Sequence, residues 1–273
     1  MELPQQWTQQ NDIEFSHYIK KSHVFVGNVT KCDIEKHYFV NAGNVYTHYC
    51  EVESSLTGNL TAMVIGNSYA HNVLPVISSN QLLKKVTSFT AFGCLYVKQP
   101  KRNCEGYQNA VNEAVKRIKP DIIYFIQGYV KITNSKLRQK AVSEIWAENF
   151  KFAFDFFQQH SSIIITNHQH FRFRIPINAE YLRLKYFGYE ANMNARKAPG
   201  LTTLDKIQLN VSCSKCLWIN YNDFFCRNDY CTPIDPFLRL PMFLDEDHVT
   251  IIGARRAQDL FENVTKKASE KII

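Results

Sequence analysis

The stretch TAMVIGNSYAHNVLP, residues 61–75, decides how this chain is to be read. An apolar run stops at Gly66, a serine follows at Ser68, and helical spacing begins at once. A short apolar run of this kind suits a strand buried on both faces, as in a parallel sheet. The junction leaves Ser68 two roles. It is either a nucleophile set at a strand-to-helix turn or the N-cap of the helix, a position serine suits well.

Outward from this stretch the pattern repeats. TSFTAFGCLYV (87–97), DIIYFIQ (121–127), SSIIIT (161–166) and LWINY (217–221) read as strands. Between them, residues 105–119 place Tyr107, Val111, Ala114 and Ile118 on one helical face, and Pro120 ends that helix. A long helix from about 135 to 159 is expected to bury Leu137, Ala141, Ile145, Phe152 and Phe156. The helix after Ser68 is expected to be interrupted near Pro75, and a final helix from about Thr250 to Val264 turns Ala254, Ala257, Phe261 and Val264 inward. Short buried strands alternating with amphipathic helices specify an α/β fold, a mainly parallel sheet covered on both faces. Residues 1–59 are irregular and are expected to form an N-terminal elaboration on a single domain, 60–273. HVFVGNV (23–29) and NVYTHYCEV (44–52) supply an edge hairpin within it, and the elaboration also serves as a lid.

Composition narrows the setting. With 273 residues, 45% of them hydrophobic and 21% charged, the chain can fill a large core and is not of disordered type. Its net charge of +7 is spread along the sequence rather than gathered in a run, so nucleic acid is not an expected partner. A basic face toward anionic glycans or headgroups and a plainly solvated lysine surface both remain open. Eight cysteines accompany N-x-S/T sequons at Asn28, Asn59, Asn210 and Asn263. Together they favour an oxidising, extracellular or lumenal compartment. Neighbours in sequence suggest the pairs Cys32–Cys50, Cys94–Cys104, Cys226–Cys231 and Cys213–Cys216. A zinc site from Cys213, Cys216, Cys226 and Cys231 is the rival reading. The first residues, MELPQQWTQQNDIEF, lack the basic and apolar regions of a signal peptide, and no window holds the ~18 apolar residues of a membrane span. The chain is therefore expected to be a piece of a longer polypeptide that carries those segments elsewhere.

Reactive residues of such sheets collect beyond the carboxyl ends of the strands. Ser68 is one candidate there. The other is FLDEDHVTIIGARR (243–256), in which Asp245 and His248 precede the last helix. A serine hydroxyl needs a base, and a histidine base needs a carboxylate to fix its tautomer. Three residues of separation let Asp245 fold back onto the ring of His248. Taken alone, each half also has a plain structural reading, a helix cap for Ser68 and a dipole-favoured acidic turn for the other. Further along, His168 and His170 stand two apart after a strand, as metal or substrate ligands or as a solvated loop. Residues 171–197 interleave aromatics with Arg172, Arg174, Arg183, Lys185, Arg196 and Lys197. That segment suits a cover over the site, a face toward a membrane domain or acidic glycan, or an ordinary amphipathic helix.

VIGNSYA (64–70) followed by LDEDHVTIIGA (244–254) resembles blocks I and V of the SGNH (GDSL-like) esterase and acyltransferase superfamily. It is most similar to the extracytoplasmic SGNH domains fused to acyltransferase-3 membrane proteins. FFCRNDYCTPID (224–235) is similar to the small disulfide loop ahead of block V in that group. Cys94 and Cys104, ahead of a helix and PDIIYFI (120–126), are similar to a further feature of it. The resemblance covers about residues 60–265. It implies a three-layer α/β/α domain with a Ser68–His248–Asp245 triad and an acyl-enzyme on Ser68. It also implies movement or removal of O-linked acyl groups on a carbohydrate or similar alcohol, with an acyl donor supplied by a membrane acyltransferase partner. No metal or organic cofactor is implied. Asn67 and Tyr69 stand where the family pattern has aspartate and histidine, and no block III asparagine follows DIIYFI. Oxyanion donors are then expected from the Ser68 backbone, with Gly93 and Gln127 as further candidates. The altered block I also leaves a catalytically silent interaction module as an alternative.

Overall fold

The computed structural model describes residues 47–97, 104–129, 139–168, 171–190, 193, 196–197, 200–228 and 230–272. Its strands are β1 (Thr47–Glu53), β2 (Leu60–Gly66), β3 (Leu83–Ala91), β4 (Ile122–Ile126), β5 (Ile163–Asn167), β6 (Arg196–Lys197), β7 (Cys216–Ile219), β8 (Cys226–Arg227) and β9 (Tyr230–Cys231). The helices are α1 (Ser68–Ser78), α2 (Glu105–Ile118), α3 (Lys140–His160), α4 (Ile177–Tyr186), α5 (Thr203–Leu209), α6 (Asn222–Phe225), α7 (Ile251–Arg256) and α8 (Gln258–Ile272).

Six strands form the main sheet in the order β1-β3-β2-β4-β5-β7, and every pairing is parallel except that of edge strand β1 with β3. The interior strands are apolar on both sides because both sides are covered. On one face, Ile122, Tyr124 and Ile126 of β4 join a core with Val73, Leu74, Phe261 and Val264 from α1 and α8. On the other, Ile123 and Phe125 pack with Tyr107 and Val111 of α2 and with Phe150, Phe154 and Phe157 of α3. This is the expected three-layer α/β/α architecture.

Several expectations shift in detail. NVYTHYCEV provides the edge strand, while HVFVGNV lies outside the described residues. Helix α1 runs unbroken through Pro75, because Val73, Leu74, Val76 and Ile77 around it are all buried against the sheet. That burial offsets the ~3 kcal/mol a helix-interior proline costs. Strand β3 stops at Ala91, and Gly93 turns the chain away with a left-handed backbone at φ 72°. Helix α3 buries a different face from the expected one. Trp146, Phe150, Ala153, Phe154 and Phe157 are inside, while Ile145 and Phe152 are about half exposed at 48% and 51%. The helix carries two apolar stripes, and the one with the larger aromatic area goes inward. Ala141 is exposed and Phe156 half-buried, whereas Leu137 is outside the described residues. The last helix divides at Ala257 into α7 and α8, with Ala254, Ala257, Phe261 and Val264 all buried as expected.

Cys94–Cys104, Cys213–Cys216 and Cys226–Cys231 are disulfides, which removes the zinc alternative for the last four. Cys50 is also disulfide-bonded, and Cys32 lies outside the described residues. Of the sequon asparagines, Asn59, Asn210 and Asn263 are exposed, and Asn28 is outside the described residues. Among the described residues no helix is long and apolar enough to cross a membrane.

Candidate active site

The junction between β2 and α1 is built around residues too tightly packed to vary. A Cβ on Gly66 would lie 1.8 Å from the carbonyl oxygen of Ile126 on the neighbouring strand. The next residue, Asn67, is buried and is the N-cap of α1, accepting the backbone N–H of Tyr69 at 3.2 Å. The same Oδ1 accepts the Gly128 N–H at 3.1 Å, and Nδ2 donates to the Gly128 carbonyl at 2.9 Å. Asn67 therefore caps the helix and locks the end of β2 to the loop after β4. An aspartate could not make the last of these bonds, since a carboxylate only accepts. Ser68 is thereby not the cap. It is the first residue of the helix, and its hydroxyl is available for another partner.

That partner is His248. Ser68 Oγ lies 2.8 Å from His248 Nε2, and His248 Nδ1 lies 2.7 Å from Asp245 Oδ2. Asp245 only accepts, so in the neutral form of the ring Nδ1 keeps the proton and Nε2 is free to accept the serine O–H. His248 stands 180 positions after Ser68 and is presented by a tight turn closed by the Phe243–Val249 bridge and the Leu244 N–H to His248 carbonyl bond at 2.8 Å. Within the turn, Asp245 Oδ1 accepts the N–H groups of Asp247 (3.0 Å) and His248 (2.8 Å), which orients its carboxylate. The segment 171–177 braces this turn from outside. Phe173 donates to the Glu246 carbonyl at 2.8 Å and Ile177 to that of Asp245 at 3.2 Å.

Burial alone would push the Asp245 carboxyl upward, but its hydrogen bonds and charge attraction to His248 prevail and hold it well below the usual carboxylate range. Burial likewise pulls the His248 imidazole down, and the flanking Asp245 and Asp247 outweigh this and raise it to about 9. The ring of Tyr69 packs on the imidazole with centroids 4.5 Å apart and planes 34° apart. Its phenol is raised well above the ordinary value, by burial first and then by the charge of Asp247. Gly128 makes room for that ring, since a Cβ there would approach Tyr69 to 2.0 Å.

The expected oxyanion donors fall at the same edge of the sheet. The Ser68 N–H opens α1 and has no acceptor within the helix. Gly93 is exposed in the turn after β3, three residues past Thr90, which pairs with Gly66. Gln127 follows β4 and is fully buried. Its backbone N–H goes to Asn167 Oδ1 at 2.9 Å, and neither atom of its side-chain amide makes a hydrogen bond. His168 stacks on Trp218 with its Nδ1 3.8 Å from Asp205, away from the triad turn, and His170 lies outside the described residues. Asp245, Asp247 and His248 bring ligand-type atoms within 4.8 Å of one another. Hydrogen bonds use Nδ1 and both Asp245 oxygens of this cluster. Asp247 and the Asn67–Gly128 lock are what sequence reasoning missed, whereas Arg172 lies in the segment read as a candidate cover over the site. The acid immediately before His248 was the one available signal.

A family model described as "SGNH domain (fused to AT3 domains)" matches residues 31–263. The chain belongs to this family. It corresponds to the extracytoplasmic SGNH domain of an AT3-type membrane protein. Among solved structures it is similar to the periplasmic domain of the lipopolysaccharide acetyltransferase of Salmonella ser. Paratyphi A. The TM-score is 0.60 at 16% identity, over 94% of this chain and 98% of that one, a likeness of fold. No curated protein matches it by sequence. SGNH membership brings the general acyl-transfer and esterase chemistry of the superfamily to this extracytoplasmic domain.

Proposed function

We propose that this SGNH domain transfers an O-linked acyl group to an extracytoplasmic alcohol, a carbohydrate hydroxyl, through an acyl-enzyme on Ser68. The observation that carries the reading is the unbroken chain from Ser68 Oγ to His248 Nε2 (2.8 Å) and from His248 Nδ1 to Asp245 Oδ2 (2.7 Å). His248 takes the serine proton as Oγ attacks the acyl carbonyl, and returns it to the departing donor oxygen as the tetrahedral intermediate collapses. The acceptor hydroxyl then gives its proton to His248 and attacks the acyl-serine, which restores Ser68. Asp245 stays ionised and stabilises the imidazolium formed at each step. The Ser68 N–H, with Gly93 and the buried Gln127 amide as further donors, faces the developing oxyanion. The donor is delivered by an AT3 membrane domain, the fusion partner that gives the family its description. Water in place of the acceptor would make the same site an esterase.

The direct test is labelling with a fluorophosphonate, with the adduct mapped by peptide mass. One adduct on Ser68 is expected, and none in Ser68→Ala. A folded, disulfide-intact wild-type domain that takes up no label would sink the enzymatic reading in favour of a silent module. Acetyl transfer to added sugars, measured against release to water, separates transferase from esterase.

A pH dependence follows. The base form of His248 is the neutral imidazole, and its pKa is raised to about 9. At pH 7 only about one molecule in a hundred carries that form. kcat/KM for acyl-enzyme formation should therefore climb about tenfold per pH unit from neutrality and level off above about pH 9. A profile already flat at pH 7 would contradict the charge environment assigned to His248.

A further inference from the structure

We propose that Asp247 is a second positioning carboxylate for His248, sharing the Nδ1 edge of the ring with Asp245. Its strength is moderated by Arg172. The proposal rests on His248 being the base of the site. Asp247 Oδ1 lies 3.3 Å from His248 Nδ1, against 2.7 Å for Asp245 Oδ2. The two acids sit in different surroundings. The Asp245 side chain is 36% exposed, whereas that of Asp247 is 5% exposed. Charge in the drier position is screened less by solvent, so the longer contact is not the negligible one.

A buried carboxylate is costly unless cations and donors compensate it. Asp247 Oδ2 has no hydrogen bond of regular geometry; the Tyr69 phenol is its neighbouring donor, and the Arg172 Nε stands 3.7 Å away, outside hydrogen-bond range. Arg172 is itself shared, with its Nη2 4.0 Å from Glu246 Oε1. Among the described residues, the other positive charge beside Asp247 is the one that appears on His248 when it accepts a proton. Asp247 is thus poised to favour the imidazolium over the neutral ring, which is the change the base undergoes in each acyl-transfer step. The groups facing His248 are Asp245 and Asp247 from its own turn, Ser68 and Tyr69 from α1, and, through Asp247, Arg172 of the bracing segment. Of these, Arg172 alone is a permanent cation, and it should act on His248 in the sense opposite to Asp247.

The experiment is an NMR titration of the His248 imidazole carbon in the wild-type domain, Asp247→Asn and Arg172→Ala, alongside kcat/KM against pH. Asp247→Asn should lower the titration midpoint by about one unit, a tenfold loss of proton affinity. Arg172→Ala should raise it. The rising limb of kcat/KM should follow in each case, with KM changed less than kcat. Loss of packing cannot move the two variants in opposite directions, so a merely structural role gives a lowered melting temperature and an unmoved midpoint. That outcome, or shifts of the same sign, overturns the proposal. Should Asp247→Asn fail to fold, Arg172→Ala and Arg172→Lys carry the test, with a raised midpoint in the first and rescue by the second expected. Midpoints that shift as expected while Ser68-dependent turnover does not follow would leave Asp247 in place and overturn the assignment of His248 as the base.

Discussion

Replacing His248 by alanine is expected to lower kcat for any Ser68-dependent acyl transfer by about 10⁴-fold or more, with a folded protein by near-ultraviolet circular dichroism. A neutral serine hydroxyl attacks esters poorly, and no other base stands within hydrogen-bonding distance of Ser68 Oγ among the described residues. Since the two residues act as one unit, the Ser68→Ala/His248→Ala double variant should be no slower than either single one. The rate that survives should come from the Ser68 N–H and binding, which neither substitution removes. Fluorophosphonate uptake should fall in parallel, because that reagent needs the same activated oxygen. Full activity in His248→Ala would mean that the 2.8 Å contact is incidental and that Ser68 draws on another base.

The layer order and the two halves of the site were legible in the sequence for a local reason. Runs such as IIYFI and the strand-end position of Ser68 depend on neighbours a few residues away. So does the three-residue spacing that lets Asp245 reach His248. What escaped depends on contacts made at long range. The two apolar stripes of α3 compete for the sheet, and long-range packing decides between them, with Trp146 and Phe150 on Tyr129 and Phe154 and Phe157 on Phe125. Asn67 reads as a defect in block I until Gly128, 61 residues on, is seen to require an amide that both donates and accepts. Tyr69 reads as a second departure until its ring is found on His248, with Gly128 again making the space. Both departures meet at Gly128, the second residue after β4, where Asn67 is bonded and the Tyr69 ring finds its space. Asp247 stands in a run of acids and is nevertheless buried. Its burial comes from the 171–177 segment lying across the turn.

Gly66→Ala should produce the largest loss of stability, because the added methyl has nowhere to go. The clash at 1.8 Å is with the backbone oxygen of Ile126, and Ala70 Cβ closes the other side at 2.7 Å. Ile126 sits on a strand hydrogen-bonded on both sides, between β2 and β5, so moving it breaks the central ladder. Tyr107 holds Gly66 from the opposite face. Its hydroxyl accepts the Gly66 N–H at 3.1 Å and reaches the carbonyls of Gly66 and Phe89, each at 2.9 Å. Overpacking that cannot relax costs about 3 kcal/mol or more, a large part of the ~5–15 kcal/mol that holds a domain folded. Denaturant unfolding should show Gly66→Ala with a midpoint far below wild type, while Gly200→Ala, with open space around its Cβ, should be within ~0.5 kcal/mol of wild type. Gly128→Ala separates stability from function. The methyl meets a side chain, Tyr69, rather than backbone, and the ring can swing away at the expense of its contact with His248. That variant should therefore fold better than Gly66→Ala and still lose turnover. A Gly66→Ala domain as stable as wild type would mean that β2 and β4 can part at the very point where the strand hands over to Ser68, and that the close packing of that junction does not hold.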